Sequence, residues 1–393
     1  MKKKLPLSGI TVLDLTNVLS GPYASLILSD LGASIVKVEK PNGDDSRRYG
    51  PFIDKKSCYF LSLNRGKKSI LLDLKKEEDK KIFEKILSNS DVLMENYRPD
   101  TLKSLGYSWS RLKKNYPKLI YAKISGFGEN GPMSKLPAYD VIVQAMSGIM
   151  SITGSSKDSF SRVGTSIGDI AAGLFCTIGI ISALYNRQIS KFGTKIDISM
   201  LDCQIAILEN AIARYSVFNE NPIPLGTDHP SISPFGAFNT QDEKIVLAAG
   251  NNKIFKKLCI LLSRQDLYSN ELFNNNEKRN SNINVLRYEI EKTLKLKKSK
   301  YWIKILSDAG IPCSMINKIS DVLNNKQLIK RNMFLDYFLS NKRKLRVAGN
   351  PIKIAGIEES KISKKAPNLD ENKNEIFKIF NIKLLILFSL FFS

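Results

Sequence analysis

One carboxylate stands alone in a long apolar stretch of this sequence. Between Arg162 and Arg187, in "RVGTSIGDIAAGLFCTIGIISALYNR", Asp169 is the single charged residue. The stretch predicts a long helix from Asp169 to about Tyr185. Asp is a good N-cap residue, and a buried carboxylate that a helix N-terminus keeps ionised is also a competent nucleophile. The residues alone leave both roles open, a helix cap or a group that attacks an electrophile.

Basic, amide and aromatic side chains lie beside the ends of predicted strands. In open α/β sheets, ligands bind beyond the carboxyl ends of the strands, and Arg and Lys there suit a phosphorylated ligand. Tyr97 and Leu72 are placed to hold a flat base between them. The alternative is a set of solvated loop charges, and the residues do not decide between the two. The set comprises Lys40, Arg47, Arg48, Arg65, Lys67, Lys68, Asn96 and Arg98.

A G-x-G-x-x-G pattern occurs at Gly126, Gly128 and Gly131, after a predicted strand. In a dinucleotide-binding fold such a loop opens a helix, and an acidic residue follows about 20 positions later at a strand end. Here Pro132 follows at once and neither feature is found. We therefore do not expect NAD at this loop.

The sequence carries no pattern for a bound metal. Its five cysteines are scattered without a CxxC spacing, which is typical of reduced thiols. His229 is the one histidine, and within "DHPS" it is expected to be structural. Because metal sites of the common types draw on several His or Cys residues, we predict no metal and no permanently bound cofactor.

Alternating strand and helix patterns position these residues. The segment "ITVLDLTNVLSGPYASLILSDLGASIVKVE" predicts a strand over Ile10–Leu15, a helix over Tyr23–Leu31 and a strand over Ser34–Glu39. This βαβ repetition predicts an α/β fold with a Rossmann-like, doubly wound sheet. The alternation continues with strands over 69–74, 91–95 and 119–127 and a helix over 77–88.

The sequence predicts two domains. Residues 1–220 are the first part of a large Rossmann-like domain, and 221–238 is a linker rich in Pro, Gly and Ser. Residues 239–330 form a smaller α+β domain, and 331–393 return to the large domain and end in an apolar tail. The tail "IKLLILFSLFFS" is shorter than the about 20 residues that span a membrane. We expect it to be a buried terminal helix or a partner contact.

The chain has a formal net charge of +22 over 393 residues. Strongly basic chains bind nucleic acid, membrane surfaces or phosphate-rich ligands in many proteins. Here the lysines are spread along the whole sequence, without a helix-turn-helix, zinc or RNA-binding motif. The N-terminus "MKKKLPL" lacks the apolar run of a signal peptide. We expect a cytoplasmic protein with neither nucleic acid nor a membrane as partner.

Seven segments form a distinctive series in the chain. They are "LDLTNVLSGPYASLILSDLGASIVKVEKP", "LNRGKKSILLDLK", "SDVLMENYRP", "PAYDVIVQAMSGIMSITG", "RVGTSIGDIAAGLFCTIGIISALYNR", "HPSISPFGAF" and "AGIPCSMIN". In this order they resemble the family III CoA-transferases, which include formyl-CoA transferase, carnitine CoA-transferase and the α-methylacyl-CoA racemases. The resemblance covers about residues 5–375. It implies a Rossmann-like large domain, a smaller domain, and a homodimer of two interlocked chains.

The resemblance also implies roles for single residues. Asp169 matches the family's transferase nucleophile, in a Gly-Asp pair before a helix. Ser104 stands where relatives often carry an arginine for the phosphates. The positions that hold CoA in relatives match Val18, Lys40, Leu72, Asn96 and Tyr97.

Within the family the choice is between a transferase and a racemase. The racemases carry a His where this chain has Tyr139, before Asp140, and a Glu near "GNNK" (250–253), which has no carboxylate. Because those groups serve in proton removal α to the thioester, a transferase is expected, and a racemase-like isomerase is the alternative. Gly250 alone stands where formyl-type transferases have a glycine-rich loop. This difference argues against specificity for formyl or oxalate groups. By analogy of fold alone, small dicarboxylates such as succinate are the expected substrates.

The expected reaction moves CoA from an acyl-CoA to a small carboxylic acid. Asp169 attacks the thioester and gives an aspartyl-acyl anhydride, and relatives then pass through an aspartyl-CoA thioester. Asp140 is expected to help shape the pocket. The small residues Gly168, Ala171, Ala172 and Gly173 are expected to let the thioester approach the backbone.

Overall fold

The structure is a computed structural model that describes residues 4–339 and 343–382. Its contacts divide the chain into two compact units. The described part of the first unit comprises 4–149, 163–213, 326–339 and 343–382, and the second unit comprises 150–162 and 214–325. The apolar tail, from residue 383 onward, lies outside the described residues. The domain limits given above stay a prediction.

The first unit is built on a parallel sheet. Its strands up to residue 199 are β1 (Thr11–Asp14), β2 (Ser34–Glu39), β3 (Phe52–Ile53), β4 (Lys56–Ser57), β5 (Lys68–Leu71), β6 (Val92–Glu95), β7 (Ile120–Ser125) and β8 (Lys195–Ser199). β3 and β4 form a small hairpin, and the other six pair in parallel in the order β5-β2-β1-β6-β7-β8. Counted alone, that is the Rossmann order 3-2-1-4-5-6, which reverses between β1 and β6. The predicted α/β class with a parallel sheet is confirmed.

Helices cover both faces of this sheet. Because successive strand residues point to opposite faces, Val12 and Leu13 of β1 lie in two different cores. Val12 packs with the helices α1 (Ser20–Asp30) and α7 (Ile167–Ser190), and Leu13 packs with α3 (Glu77–Leu87). The helices up to residue 218 are α1 (Ser20–Asp30), α2 (Cys58–Asn64), α3 (Glu77–Leu87), α4 (Thr101–Ser104), α5 (Trp109–Asn115), α6 (Asp140–Met146), α7 (Ile167–Ser190), α8 (Met200–Ala206) and α9 (Ala211–Phe218).

Two helix starts differ from the prediction. Helix α1 begins at Ser20, three residues before Tyr23, because Pro22 is tolerated in a first turn where its missing N–H has no partner to lose. Helix α7 begins at Ile167, so Asp169 is its third residue.

Helix α7 is the one helix of the described residues long and apolar enough to cross a membrane by length and composition. Half of its apolar window is buried inside the protein, and Cys176 and Ile180 belong to the core that α7 shares with α1. Buried core helices pass the same test, so this feature is weak evidence for a membrane.

The second unit has an antiparallel sheet of its own. The strands β9 (Phe235–Asn239), β10 (Lys244–Ala248) and β11 (Cys313–Met315) pair in the order β11-β10-β9. Its core includes Phe238, Phe255 and Trp302. The helices are α10 (Asn252–Leu261), α11 (Gln265–Ser269), α12 (Asn276–Ser281), α13 (Ile283–Leu294), α14 (Ser299–Asp308) and α15 (Ile319–Leu323).

The chain then returns to the first unit. It forms α16 (Lys326–Lys330), the hairpin β12 (Phe334–Phe338) and β13 (Lys344–Ala348), and α17 (Lys373–Ile379). Strand β5 lies at one edge of the parallel sheet, and the return segment pairs with that edge. The Ser69 N–H donates to Asn372 Oδ1 at 3.0 Å, and the Leu71 N–H donates to Asp370 Oδ1 at 2.8 Å. Residues about 300 positions apart therefore close the edge of the sheet.

Candidate active site

A cavity of about 600 Å³ lies beyond the carboxyl ends of β1 and β6, within the first unit. The strand order reverses between these two strands, and open α/β sheets bind their ligands at that point. The volume is within the usual range of small-molecule sites. The lining includes every residue to which the family resemblance gives a role in catalysis or CoA binding, namely Val18, Lys40, Leu72, Asn96, Tyr97 and Asp169.

The carboxylate of Asp169 is not the N-cap of α7. The N-cap position is Ser166, whose side chain makes no capping hydrogen bond. Asp140, at the start of α6, supplies the acceptor instead: its Oδ1 accepts the N–H of Gly168 at 2.8 Å and that of Asp169 at 3.4 Å. Because Asp140 satisfies these helix-end donors, the Asp169 carboxylate is left available for chemistry. The sequence suggested a pocket role for Asp140 but not this cap.

Gly168 is required by packing at the start of α7. A Cβ there would lie 2.4 Å from Gln204 Nε2 and 3.0 Å from Asp140 Oδ1. Gln204 is fully buried, and its Oε1 accepts the Ser147 hydroxyl at 2.9 Å. Gln144 Nε2 donates to the second oxygen of Asp140 at 2.6 Å. The first turn of α7 is therefore held against α6 and α8 by buried polar side chains.

The other small residues of α7 also serve helix packing. A Cβ on Gly173 would lie 2.8 Å from the Ser20 carbonyl oxygen and 3.0 Å from Tyr23 Cδ1, and Ala171 and Ala172 are buried in the core that α7 shares with α1. The expectation that these residues open a path for a thioester was wrong, because their neighbours are atoms of the protein. They bring α7 close to α1, and Ser20 close to Asp169.

Burial, and then the negative charge of Asp140, raise the pKa of Asp169 to about 6. The polar groups of Ser20, its hydroxyl and its backbone, act in the opposite direction and lower it. The carboxylate is thus largely ionised at neutral pH, and it is more basic than an exposed Asp. Sequence reasoning missed Ser20, which reads as an ordinary turn residue in "SGPY".

The turn after β1 is strained and firmly held. Val18 has φ of 66°, a left-handed conformation that β-branched residues rarely adopt. Its N–H donates to Asp44 Oδ1 at 3.2 Å. Asn96 exchanges two hydrogen bonds of 2.8 Å with the backbone of Asn17. Strain of this kind costs about 1–3 kcal/mol and persists only where the surroundings enforce it.

Buried ion pairs support the same turn from below. Lys37 Nζ donates to the Thr16 carbonyl at 2.6 Å and lies 2.8 Å from Asp44 Oδ2. Burial alone would raise the pKa of Asp44, but the Lys37 ammonium holds that pKa well below its usual range. Lys67 Nζ donates to the Pro22 carbonyl at 3.1 Å, and burial lowers the pKa of Lys67 to about 8.

Much of the predicted cationic set is engaged inside the protein. Arg47 forms a two-pronged pair with Glu39 at 2.6 and 2.7 Å, and Arg65 pairs with Asp30 at 2.6 Å. Lys40 is half exposed and lies 3.1 Å from Asp45. Of the cations in the predicted set, Lys40 and Arg98 line the cavity. Lys75 lines it as well. Sequence reasoning missed Lys75, because a lysine just before a helix is usually solvent-exposed.

The sequence analysis expected no NAD site at the G-x-G-x-x-G loop, a structural role for His229, and no metal site. After Gly131 no helix begins before α6. His229 lies in the second unit, where its Nδ1 accepts the Ser231 N–H at 3.1 Å. Within residues 4–339 and 343–382, no group of three His, Cys, Asp or Glu side chains is arranged to hold a metal ion.

The whole chain is similar to CoA-transferases. The model of CoA-transferase family III matches residues 7–373. The acetyl-CoA:oxalate CoA-transferase of Acetobacter aceti is 40% identical over 381 residues, which are 96% of this chain and 97% of that protein. The succinyl-CoA:glutarate CoA-transferase of Mus musculus is 35% identical over 95% of this chain and 86% of its own.

The fold is similar to that of a solved family member. The crystal structure of a CAIB/BAIF family protein from Brucella suis matches with a TM-score of 0.85 at 32% identity, over 96% of this chain and 100% of that one. The predicted family is confirmed by these matches. The chain, with its parallel sheet and its cavity at the β1–β6 reversal, belongs to CoA-transferase family III and is an enzyme of that family.

Proposed function

We propose that this enzyme moves CoA from an acyl-CoA to a small carboxylic acid and that Asp169 is its nucleophile. The observation that carries the proposal is the state of Asp169: it lines the cavity, Asp140 caps its helix, and its pKa is raised to about 6 by burial and Asp140. A carboxylate that is ionised yet poorly solvated is a strong nucleophile for its class.

The proposed reaction has two balanced halves. An Asp169 oxygen attacks the thioester carbon and the C–S bond breaks. CoA departs as a thiolate, and an aspartyl-acyl anhydride remains on the enzyme. The thiolate then attacks the Asp169 carboxyl carbon, which releases the first acid and leaves an aspartyl-CoA thioester. In the second half the acceptor carboxylate attacks that carbon and expels the thiolate, which then attacks the acceptor carbonyl and frees Asp169.

The CoA portion is proposed to lie along the residues that share the cavity with Asp169. Leu72 and Tyr97 contribute apolar atoms to the lining. Lys40 and Arg98 offer charge for the phosphates. Asn96 and Val18 shape the turn against which the thioester arm is proposed to lie. CoA esters are substrates in this scheme, and no resident cofactor takes part.

The acceptor is proposed to be a short dicarboxylate. One relative is named for oxalate and another for glutarate, and both are dicarboxylates. Acetyl-CoA and succinyl-CoA are accordingly the donors to test, with oxalate, succinate and glutarate as acceptors, by mass spectrometry of the acyl-CoA products. Oxalate is included, against the argument from Gly250, because the relative named for it is 40% identical to this chain. Exchange with none of these pairs would refute this choice of substrates.

We also propose a cytoplasmic homodimer of interlocked chains. Helix α7 exposes Leu174, Ile178, Ile181 and Tyr185 at helical spacing, and an apolar stripe of this kind is typical of a subunit interface. All five cysteines are free thiols, which suits a reducing compartment. Native mass spectrometry is expected to give twice the chain mass, and a monomer at micromolar concentration would contradict the proposal.

Trapping tests the proposed nucleophile. Hydroxylamine added together with acyl-CoA is expected to convert Asp169 to a hydroxamate, since the anhydride and the thioester are both electrophiles at that carbon. Without acyl-CoA no hydroxamate forms. The variant Asp169→Asn keeps the shape of the side chain and is expected to fold and to lose CoA exchange by roughly 10⁴-fold or more. A folded Asn variant with near-normal exchange would overturn the role of Asp169.

A further inference from the structure

The first unit contains a second cavity, of about 390 Å³, whose lining includes residues of β6, β7, β8 and α5. It is a neighbour of the cavity that contains Asp169, because both linings include Pro99, Ser125 and Ser134. Asp169 itself lines only the first of the two. The volume of the second cavity suits a small ligand of about the size of a mononucleotide.

Buried charged side chains line the second cavity. Glu95, only 1% exposed, accepts the Tyr121 hydroxyl at 2.8 Å. Lys123, which is also buried, has its Nζ 3.2 Å from Glu129 Oε1 and 3.7 Å from Glu95 Oε1. The second of these distances is longer than a hydrogen bond, and an ammonium group has three N–H donors. Lys123 therefore retains donor capacity for an anion in this cavity.

The G-x-G-x-x-G loop arranges two lysines of the second cavity. The carboxylate of Glu129, in the middle of this loop, pairs with both Lys123 and Lys195. The N–H of Glu129 is itself occupied, because it donates to Asp197 Oδ2 at 2.9 Å. The loop thus contributes ordered lysine side chains to the cavity, and its glycines do not need to open a helix as they do in a dinucleotide fold.

The second cavity combines positive charge with an aromatic surface. Trp109 lines it and stacks on Tyr121, with ring centroids 6.1 Å apart. Burial raises the pKa of Glu95, which favours its neutral form and adds to the positive excess. Lysines suit a phosphate group, and an aromatic ring suits a flat base. The lining has four lysines, Lys103, Lys123, Lys135 and Lys195, and three acids, Glu95, Asp100 and Glu129.

We propose that the second cavity binds a mononucleotide, with its phosphate at the lysines and its base against Trp109. The two cavities have a common wall at the end of β6: Glu95 Oε2 accepts the N–H of Tyr97 at 2.6 Å, and Tyr97 lines the cavity of Asp169. A phosphate bound so near repels the phosphates of CoA. Each ligand therefore lowers the affinity for the other by the same limited factor, and both are bound together at high concentration.

Tryptophan fluorescence tests the proposal on the full-length enzyme, with adenosine 5′-monophosphate (AMP) as the probe. The chain has 2 tryptophans, and Trp302→Phe leaves Trp109 as the sole one. AMP is expected to change the Trp109 fluorescence saturably, and adenosine, which lacks the phosphate, to bind far more weakly. Equilibrium dialysis of labelled AMP with the wild-type enzyme gives the same dissociation constant without a substitution. Absence of saturable binding, or equal binding of adenosine, would overturn the proposal.

A CoA titration separates the second cavity from the CoA site. Increasing CoA is expected to raise the Kd of AMP several-fold and then to a plateau, since both ligands fit at once. A Kd that rises in proportion to CoA without a plateau would show that the two compete for one site, and the proposal would be wrong. Neither measurement depends on the role of Asp169, so the proposed nucleophile is tested separately.

Two lysine variants test the position of the phosphate. Lys195→Gln removes a charge from the second cavity and leaves the lining of the first unchanged, so it should weaken AMP binding about tenfold and change the Kd of CoA little. Lys113→Gln is the matched control, because Lys113 is an exposed residue of α5 that lines neither cavity, and both affinities should stay unchanged. Equal AMP affinity in the two variants would exclude Lys195 from the site proposed here.

Discussion

Asp169 is subject to two opposing influences on its charge. Burial and the Asp140 carboxylate disfavour the ionised form, whereas Ser20 favours it. The balance sets a pKa of about 6, which is low enough for ionisation at neutral pH and high enough for useful basicity. Burial, followed by the negative charge of Asp169, raises the pKa of Tyr59 in α2 to about 12, so this phenol stays neutral at neutral pH.

The raised pKa of Asp169 predicts how kcat/KM decreases at acidic pH, on the acid limb of the pH profile. Because the proposed nucleophile Asp169 attacks in its ionised form, kcat/KM is expected to fall as the pH decreases through about 6. Asp140→Asn removes the like charge but keeps an acceptor for the Gly168 N–H, so the limb is expected to move to lower pH. Asp140→Ala removes the acceptor as well and is expected to lose activity at every pH. An unmoved limb in the Asn variant would contradict this origin of the raised pKa.

Lys40 is expected to contribute to binding more than to the chemical step. Lys40→Ala should raise the KM for acyl-CoA several-fold and change kcat little, because phosphate contacts are made equally in substrate and transition state. Asp45 lies 3.1 Å from Lys40, so Asp45→Asn frees the ammonium and should lower the KM. Steady-state kinetics at low salt measures both effects. Equal KM values in all three proteins would remove Lys40 from the CoA site.

At the scale of elements, the site depends on the contact between α1 and α7. Ser20 of α1 and Asp169 of α7 line the same cavity, and Gly173 lies where the two helices meet. The turn before α1 is held independently by Asn96 and the Lys37–Asp44 pair. The geometry at Asp169 is thus determined by tertiary packing and not by one local motif.

Substitutions of two glycines of α7, Gly173 and Gly179, test whether activity depends on the contact between α1 and α7. Gly173→Ala places a Cβ 2.8 Å from backbone oxygen, so it should destabilise the protein by about 1–3 kcal/mol and lower kcat. In Gly179→Ala the Cβ meets Ile196 Cγ2 at 3.1 Å, a side-chain contact that a shift of a few tenths of an ångström relieves, and the higher helix propensity of Ala offsets part of that cost. Thermal unfolding and CoA exchange compare the two variants. Equal effects on kcat would argue against the contact at Gly173.

The sequence predicts elements well where the signal is local. Short apolar runs identify β1, β2, β6 and β7 to within two residues at each end. The lone Asp169 in an apolar helix lies in the lining of the candidate cavity. The partners of the cations are not visible in the sequence, because Asp30 lies 35 residues from Arg65 and Asp14 lies 53 residues from Lys67. The cap of α7 by Asp140 is likewise a contact over 28 residues.

At the scale of the whole molecule, a net charge of +22 favours encounter with the anionic phosphates of CoA. We expect kcat/KM for acyl-CoA to fall several-fold as salt rises from about 10 to 150 mM, because the Debye length falls from about 30 to about 8 Å. A pantetheine thioester without the phosphates serves as the matched substrate, and its kcat/KM should be nearly insensitive to salt. Equal salt dependence of the two substrates would exclude steering by charge.

The closing of the β5 edge by Asp370 and Asn372 has a consequence during synthesis on the ribosome. The edge and its partner are separated by 301 residues, and translation runs at ~5–20 residues per second. Strand β5 therefore emerges roughly 15–60 s before the segment that covers it. An uncovered strand edge is a template for pairing with other chains, so slow translation of the intervening codons lengthens the period in which nascent chains can aggregate.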